Sequence, residues 1–302
     1  MTTASEPKLL SFGAAGIVYQ VTNDIAVKRA FADDDEGIQN EYCIYDMLDK
    51  MPCCPNLVQS FYRVPSANFL QYLSGGTLDQ RLRQHQMRDH TNHRVTGVTC
   101  HEAQSLIWRW MAELAEAIAL LESLGYVHGD MRPPNILLDR TDHLKVIDFD
   151  NTVAVGSVSD GDPPPYARVF GDEGAEDRGT FGYHGPRTEQ FAIGSVIYYM
   201  SRGYEPYDNE WFGDDHGPEV VRLLQERQFP KVDEHDMDTI IRKCWYGEYE
   251  SIRNLKSEVI RLGRYIEFSM ATAMPNEEYQ ARRRECEELV KAGVLDLTPR
   301  GE

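Results

Sequence analysis

The sequence has no long apolar run. None of its segments reaches the roughly 18 consecutive apolar residues that a membrane-spanning helix needs. Met1 to Pro7 lacks the basic start and apolar stretch of a secretory signal. Cysteine is sparse, with six residues in 302, no C-x-x-C pair and no N-x-[ST] sequon. We therefore expect an intracellular protein, cytoplasmic or nuclear, with reduced thiols and no membrane partner.

Positive charge is also scarce. The chain has 31 Lys and Arg against 49 Asp and Glu, so the formal net charge is −18 and the pI is about 4.9. A nucleic-acid partner is not expected, because approaching phosphates would meet a repulsive mean field. Hydrophobic residues at 41% and charged residues at 26% are typical of globular proteins, and the length fits two domain-sized units or one bilobal fold.

Hydrophobic periodicity divides the chain into a β-rich front and a helical remainder. Residues 8–28 alternate apolar and polar residues around a turn at 22–24, which predicts neighbouring strands. Glu36 to Leu48 has the spacing of an amphipathic helix, and Phe69 to Leu73 that of a buried strand. Beyond Gly75-Gly76 the periods are helical.

Several features mark the helices of the second part. Thr99 and Glu102 form a predicted capping box for a long helix that ends near Gly125. Further helices are predicted around residues 194–200, 218–224, 238–245 and 276–292. Residues 85–98 and 151–179 look like loops, and loops of that length in a compact protein are usually functional or mobile.

Three oxygen-bearing side chains stand close to a predicted hairpin. Ile136–Leu138 and Leu144–Ile147 predict two short paired strands, which would bring Asp130, Asn135 and Asp148 to one end. One carboxylate and one amide suit a nucleotide-bound Mg²⁺, because this ion prefers oxygen ligands and keeps waters or phosphate oxygens in its shell. The remaining carboxylate, Asp130, would then be free to accept a hydroxyl proton.

A turn around Gly13 and Gly16 and a strand ending in Lys28 precede this hairpin in the sequence. The order of these motifs resembles that of eukaryotic protein kinases, from about residue 11 to 245. The resemblance implies a phosphotransferase that uses ATP and Mg²⁺ and acts on an unknown protein substrate. It also implies an α+β bilobal fold with a β-rich N-lobe and a mainly helical C-lobe. The pattern further resembles divergent fungal kinase-like proteins.

Residue by residue, the resemblance implies these roles: Gly13, Gly16 and Val18 in the glycine loop; Lys28 on the phosphates, with Glu41 as its helix partner; Ala26, Leu73 and Leu137 around adenine, with the backbone of Gln71 and Leu73 at its edge; Asp130 as catalytic aspartate; Arg132 beside it; and Asn135 and Asp148 as metal ligands. Thr180 is expected to bond both Asp130 and Arg132. This arrangement favours serine and threonine over tyrosine as acceptors.

Four positions depart from the family pattern. Ser11 replaces the first glycine of the loop, and Gly129 replaces the arginine before the catalytic aspartate, so we predict no phosphate switch of that type. Asp150 replaces a glycine and adds a carboxylate beside the metal ligands. Arg187 replaces a glutamate, and with it the buried ion pair of the family is lost as a unit.

Two alternatives to an active protein kinase remain. The four departures favour a non-catalytic kinase-fold binding module, whereas the His128-Gly129-Asp130 and 147–150 motifs also resemble aminoglycoside or choline kinases. The stretch 179–194 argues against the small-molecule enzymes. We predict residues 1–73 as the N-lobe, 74–265 as the C-lobe and 266–302 as a helical extension packed on the C-lobe. The sequence leaves the oligomeric state open.

Overall fold

The computed structural model describes residues 6–13, 16–33 and 35–299. The strands are β1 Lys8–Phe12, β2 Ile17–Gln20, β3 Ile25–Arg29, β4 Ser60–Val64, β5 Ala67–Gln71, β6 Gln86–Arg88, β7 Val95–Val98, β8 Tyr126–Val127, β9 Ile136–Leu138, β10 Leu144–Val146 and β11 Val153–Ala154. The helices are α1 Glu36–Leu48, α2 Leu78–Arg83, α3 Gln104–Ser123, α4 Pro186–Arg202, α5 His216–Gln225, α6 Asp236–Tyr246, α7 Ile252–Gly263 and α8 Asn276–Lys291.

The first part of the chain forms an antiparallel sheet with the strand order β1-β2-β3-β5-β4. Helix α1 begins where the Asp35 side chain accepts a hydrogen bond from the Ile38 N–H, which satisfies one of the free donors at a helix start. Its buried side includes Ile38, Glu41 and Tyr45. The sheet and α1 together form the N-terminal lobe.

The rest of the chain up to α7 is mainly helical and has its own core. Helices α3 and α4 lie at its centre, and α4 is buried along most of its length. Strands β9 and β10 pair as the predicted hairpin. The fold-class prediction, a β-rich lobe followed by a mainly helical lobe, is confirmed. In the part of the chain that the structure describes, no helix is both long and apolar enough to cross a bilayer.

Two local predictions are wrong. The α3 helix begins at Gln104 without a side-chain cap, because Thr99 bonds the His85 carbonyl and Glu102 pairs with Arg81 at 2.6 Å. Residues 85–98 are not a simple loop, since β6 and β7 pair within them.

The C-terminal helix also differs from its prediction. Helix α8 packs on the N-terminal sheet and not on the helical lobe: Cys286 is fully buried in the core of that sheet, and the Tyr279 hydroxyl donates to the Ser60 carbonyl at 2.9 Å. Arg282 pairs with Asp24 at 2.7 Å. The apolar face of the sheet opposite α1 needs a cover, and α8 provides it.

Candidate active site

Lys28 and Glu41 meet in the buried interior of the N-terminal lobe. Lys28 lies on β3, and its Nζ is 2.6 Å from a carboxylate oxygen of Glu41 on α1. The other Glu41 oxygen accepts a hydrogen bond from the Asn68 amide at 2.6 Å. Both Glu41 oxygens are therefore held, and the position of α1 is tied to β3 and β5.

Two further carboxylates approach the same lysine. The Nζ lies 2.5 Å from Asp148 and 3.5 Å from Asp150. Burial disfavours the charged form of Lys28, but the carboxylates of Glu41, Asp148 and Asp150 outweigh it and raise the pKa of Lys28 well above its usual value. Lys28 therefore stays charged throughout the physiological range.

The pKa values of the two aspartates are shifted in opposite directions. Burial raises the pKa of both, but the close contact with Lys28 outweighs it at Asp148, whose pKa lies below its usual value. At Asp150 burial dominates, and the charges of Asp148 and Glu41 add to it, so the pKa of Asp150 is raised. Asp148 is thus the firmly ionised member of the pair, and its φ of 69° is an uncommon backbone conformation for a non-glycine residue.

Asn40 connects α1 to the segment that follows Asp148. Its amide nitrogen donates to the carbonyls of Asp150 at 2.9 Å and Thr152 at 2.7 Å. Phe149, between these aspartates, is fully buried and packs edge-on against Tyr45 of α1 and His128. The position of α1 and the conformation of residues 148–152 are therefore coupled.

Asp130 and Asn135 lie on the loop before β9. The Asn135 amide nitrogen donates to both the backbone carbonyl and a carboxylate oxygen of Asp130, at 2.8 and 2.7 Å. Arg132 forms an ion pair with the other carboxylate oxygen at 2.7 Å. Glu189 of α4 accepts from the backbone N–H of His128 at 3.1 Å, which anchors this loop to the buried helix.

The residues expected around a nucleotide base lie at the junction of the lobes. Val18 is opposite Lys28 in the β2–β3 register, and Ala26 is on the same face of β3, two residues before that lysine. The Gln71 N–H donates to the Gln59 carbonyl, so only the Gln71 carbonyl could face a ligand. Leu73 is buried and makes no backbone–backbone hydrogen bond within the described residues; Leu137, on β9, is half-buried.

Comparisons with known proteins agree with this geometry. A family model described as "Protein kinase domain" matches residues 6–251. The chain belongs to the protein kinase family. It is 33% identical over 137 residues to human "Myotonin-protein kinase", over 41% of this chain and 21% of the relative.

Other kinases are similar over comparable stretches. Mouse "Serine/threonine-protein kinase MRCK gamma" is 31% identical over 133 residues, covering 40% of this chain and 8% of that protein. Rat "Citron rho-interacting kinase" is 32% identical over 111 residues, covering 34% and 5%. The matched stretches thus span about a fifth or less of these three relatives' own length.

Local backbone contacts explain the glycines in the glycine loop of this kinase domain. A Cβ at Gly16 would come within 2.1 Å of the Arg29 carbonyl oxygen on β3, so no side chain fits there. Gly13 donates its N–H to the Gly16 carbonyl at 2.9 Å, and Ser11 is exposed on β1. The tip of the glycine loop, residues 14 and 15, lies outside the described residues.

Two departures from the family pattern have structural explanations. Gly129 has a φ of 82°, and a Cβ there would lie 2.2 Å from the Asn151 carbonyl oxygen, so the backbone favours glycine. Arg187 stacks over the Phe170 ring at 4.0 Å and donates to the Phe181 carbonyl. Burial, with the charge of Arg168, lowers the pKa of Arg187 to about 10. No carboxylate among the described residues forms a salt bridge with Arg187.

The prediction for Thr180 is wrong. Thr180 is exposed, and its hydroxyl donates to the nearby Asp177 carbonyl. The Asp130 carboxylate is instead contacted by Asn135 and Arg132. Sequence reasoning missed Asn68, although a polar residue inside a buried strand is a signal that could have been used.

The residues present fit a magnesium ion. Asn135 donates both of its hydrogen bonds to Asp130 through its amide nitrogen, which leaves its amide oxygen available as a ligand. Asp148 is ionised, and its side chain is 32% exposed. Within the described residues no group of three His, Cys, Asp or Glu could hold a metal by itself, so nucleotide oxygens would complete the shell of an ion at Asn135 and Asp148.

Proposed function

We propose that the protein transfers the γ-phosphoryl group of ATP to serine or threonine hydroxyls of a protein substrate, with Mg²⁺ as cofactor. The observation that carries the proposal is the contact of Lys28 with both Glu41 and Asp148, at 2.6 and 2.5 Å. This one charged group joins the N-terminal sheet, α1 and the segment after β10. A lysine held in that way is ready to bind phosphate oxygens.

Each residue would have one task. Lys28, positioned by Glu41, would hold the nucleotide phosphates, and Asn135 and Asp148 would hold Mg²⁺. The ion supplies positive charge to the phosphate oxygens. Asp130 would accept the proton of the attacking hydroxyl while the new O–P bond forms and the bond to ADP breaks. Holding the phosphates, the ion and the acceptor hydroxyl in the correct geometry accounts for most of the catalysis in phosphoryl transfer.

Three observations support serine or threonine acceptors in a protein. Arg132 pairs with Asp130 at 2.7 Å, and a basic residue beside the catalytic aspartate resembles the loops of serine/threonine-type kinases. One of the similar proteins is named as a serine/threonine-protein kinase. The family model describes protein kinases and not small-molecule kinases, which favours a protein acceptor over an aminoglycoside or choline.

The test combines nucleotide binding with transfer. Thermal unfolding is measured with millimolar ATP, with either MgCl₂ or EDTA, and transfer is measured on degenerate serine, threonine and tyrosine peptide libraries. We expect a magnesium-dependent rise of the unfolding midpoint, because a ligand at 100 times its Kd stabilises the native state by about 2.7 kcal/mol. Serine and threonine peptides should be labelled, and tyrosine peptides should not.

Lys28→Met is the decisive variant, and Lys50→Met, at an exposed position, is its matched control. Lys28→Met should lose transfer and most of the ATP-dependent shift, while Lys50→Met should keep both. A cooperative transition without nucleotide shows that each variant is folded. Unchanged transfer in Lys28→Met, or no shift of the natural protein at millimolar ATP, would contradict the proposal; the second result would favour a non-catalytic module.

A further inference from the structure

Residues 149–154 lie between α1 and the short strand β8, and hydrogen bonds hold them on both sides. On the α1 side, the Asn40 amide nitrogen donates to the carbonyls of Asp150 at 2.9 Å and Thr152 at 2.7 Å. On the other side, β11 pairs with β8, and the Thr152 hydroxyl donates to the His128 carbonyl at 3.3 Å. One amide group of α1 therefore holds two backbone carbonyls of the segment that follows the proposed metal ligand.

Asn40 is the immediate neighbour of Glu41, the residue that holds Lys28. Successive residues of a helix point about 100° apart, so the same turn of α1 reaches Lys28 with one side chain and residues 149–154 with the other. Asp148, which precedes this segment, contacts Lys28 at 2.5 Å. A displacement of α1 would therefore break the Glu41–Lys28 contact and the Asn40 hydrogen bonds together.

The position before Asp130 has no room for an arginine, the cation that would bind a phosphate on this segment. Gly129 stands there with a φ of 82°, and a Cβ would lie 2.2 Å from the Asn151 carbonyl oxygen. The Asn40 amide and the Thr152 hydroxyl are neutral donors. The hydrogen bonds that they make with residues 128, 150 and 152 therefore need no added charge.

We propose that Asn40 is a positioning residue that keeps Lys28 and Asp148 assembled, so that the kinase is active without phosphorylation of its own chain. This inference rests on the proposed function. Asn40 acts through the backbone carbonyls of residues 150 and 152 and not through the nucleotide or the acceptor. Without its amide, residues 149–152 are free to take other conformations, and only the fraction of molecules that keeps Asp148 at Lys28 binds ATP with Mg²⁺.

The experiment compares Asn40→Ala with Gln39→Ala, a matched control at the preceding position of α1. The Gln39 side chain is exposed, and its amide donates to the Asp33 carbonyl at 3.1 Å. Alanine has the highest helix propensity, so neither change should unwind α1. Both variants are assayed for peptide phosphorylation with magnesium in excess over ATP.

The expected effect is on the KM for ATP. Asn40→Ala should raise it about tenfold, because two hydrogen bonds that favour the competent conformation are lost. Its kcat should change less than twofold, since saturating nucleotide draws the molecules back to that conformation. Gln39→Ala should change neither constant. A fall of kcat with an unchanged KM in Asn40→Ala would indicate a role in stability alone and would overturn the inference.

A second readout needs no enzymatic activity. Backbone hydrogen exchange is measured by mass spectrometry without nucleotide. Residues 150–155 of Asn40→Ala should exchange about tenfold faster than in the natural protein, while α4 should keep its rate. Gln39→Ala should exchange like the natural protein. Equal exchange in the two variants would contradict the role given to Asn40.

The independence from phosphorylation is tested on the natural protein. It is treated with a broad-specificity phosphatase, the phosphatase is removed, and intact mass shows that no phosphate remains. Transfer to peptides should continue without a lag. A lag, or a loss of transfer that phosphorylation restores, would overturn the inference. If Asn40→Ala exchanges faster but the natural protein labels no peptide, the contact stands and the proposed function fails, so the two failures can be distinguished.

Discussion

Lys28 is surrounded by more negative charge than it can neutralise. One ammonium group faces the carboxylates of Glu41, Asp148 and Asp150, so the formal local charge is 1 − 3 = −2. Asp150 contributes part of this excess, at a position where the family pattern has glycine. A divalent cation would balance it, which supports the proposed binding of Mg²⁺ together with the nucleotide.

At the level of one residue, Asp130→Asn separates binding from transfer. The amide has nearly the shape of the carboxylate but cannot accept the hydroxyl proton, so we expect transfer to fall by about 100-fold or more. The magnesium-dependent ATP shift should remain, since Asp130 does not contact Lys28 or Asp148 and the new amide oxygen can still accept the hydrogen bond from Asn135. Peptide phosphorylation and thermal unfolding measure the two effects, with Asp160→Asn as control. Loss of the ATP shift would contradict the role given to Asp130.

The sequence predicts a residue's position well when neighbouring positions restrict it. Lys28 ends an apolar strand, and Asp130 and Asn135 are five residues apart next to a hairpin, so few arrangements of these side chains are possible. Thr180 had no such restriction. The segment before it is positioned by Ser159, whose N–H donates to the Gly182 carbonyl, and by Tyr166, whose hydroxyl donates to Glu205 far away in the sequence.

At the level of secondary structure, the same distinction holds. Helix α1 agrees with its predicted bounds, and β9 and β10 form the predicted hairpin, because local periodicity determines both. The packing of α8 could not be predicted in this way. Its amphipathic pattern shows that one face is buried but not which lobe buries it, and the uncovered face of the N-terminal sheet decides that.

The docking of α8 can be measured through its cysteine. Burial raises the pKa of the Cys286 thiol to about 12, so this thiol should react slowly with alkylating reagents in the folded protein. Tyr279→Ala removes the hydrogen bond to Ser60 and the ring contact with Phe61. We expect it to accelerate Cys286 labelling about tenfold by local opening, as measured by peptide mass spectrometry.

Two controls accompany that measurement. Cys244, buried in the helical lobe, should keep its labelling rate, which shows that α8 opens without global unfolding. Tyr265→Ala changes a tyrosine that is 83% exposed and should have no effect. Equal acceleration of Cys244 and Cys286 would show instead that α8 detaches only when the whole molecule unfolds.

At the level of the whole molecule, net charge should govern the response to salt. At least 18 of the 49 acidic residues have no basic residue to match them. Salt weakens their long-range repulsion, which acts beyond the Debye length of about 10 Å at 0.1 M, more than it weakens ion pairs in direct contact. We therefore expect the unfolding midpoint to rise from 10 to 200 mM NaCl.

Potassium chloride at equal ionic strength is the control for specific ion binding. It should give the same rise if screening is the cause. A midpoint that falls with salt would show that the ion pairs of this protein outweigh its net repulsion.

The predicted domain boundaries at residues 73 and 265 and the intracellular location stay predictions.

The chain connects the two lobes twice, because it returns from the helical lobe to the N-terminal lobe before α8. The first connection lies between Gln71 at the end of β5 and Leu73 in the helical core. The second lies between Ala271, whose N–H donates to the buried Glu113 of α3, and Met274, which packs in the core of the N-terminal sheet. Two bodies joined at two points rotate freely only about the line through them. Opening of the cleft should therefore follow one axis, and twisting of the lobes about the first connection alone should be restricted.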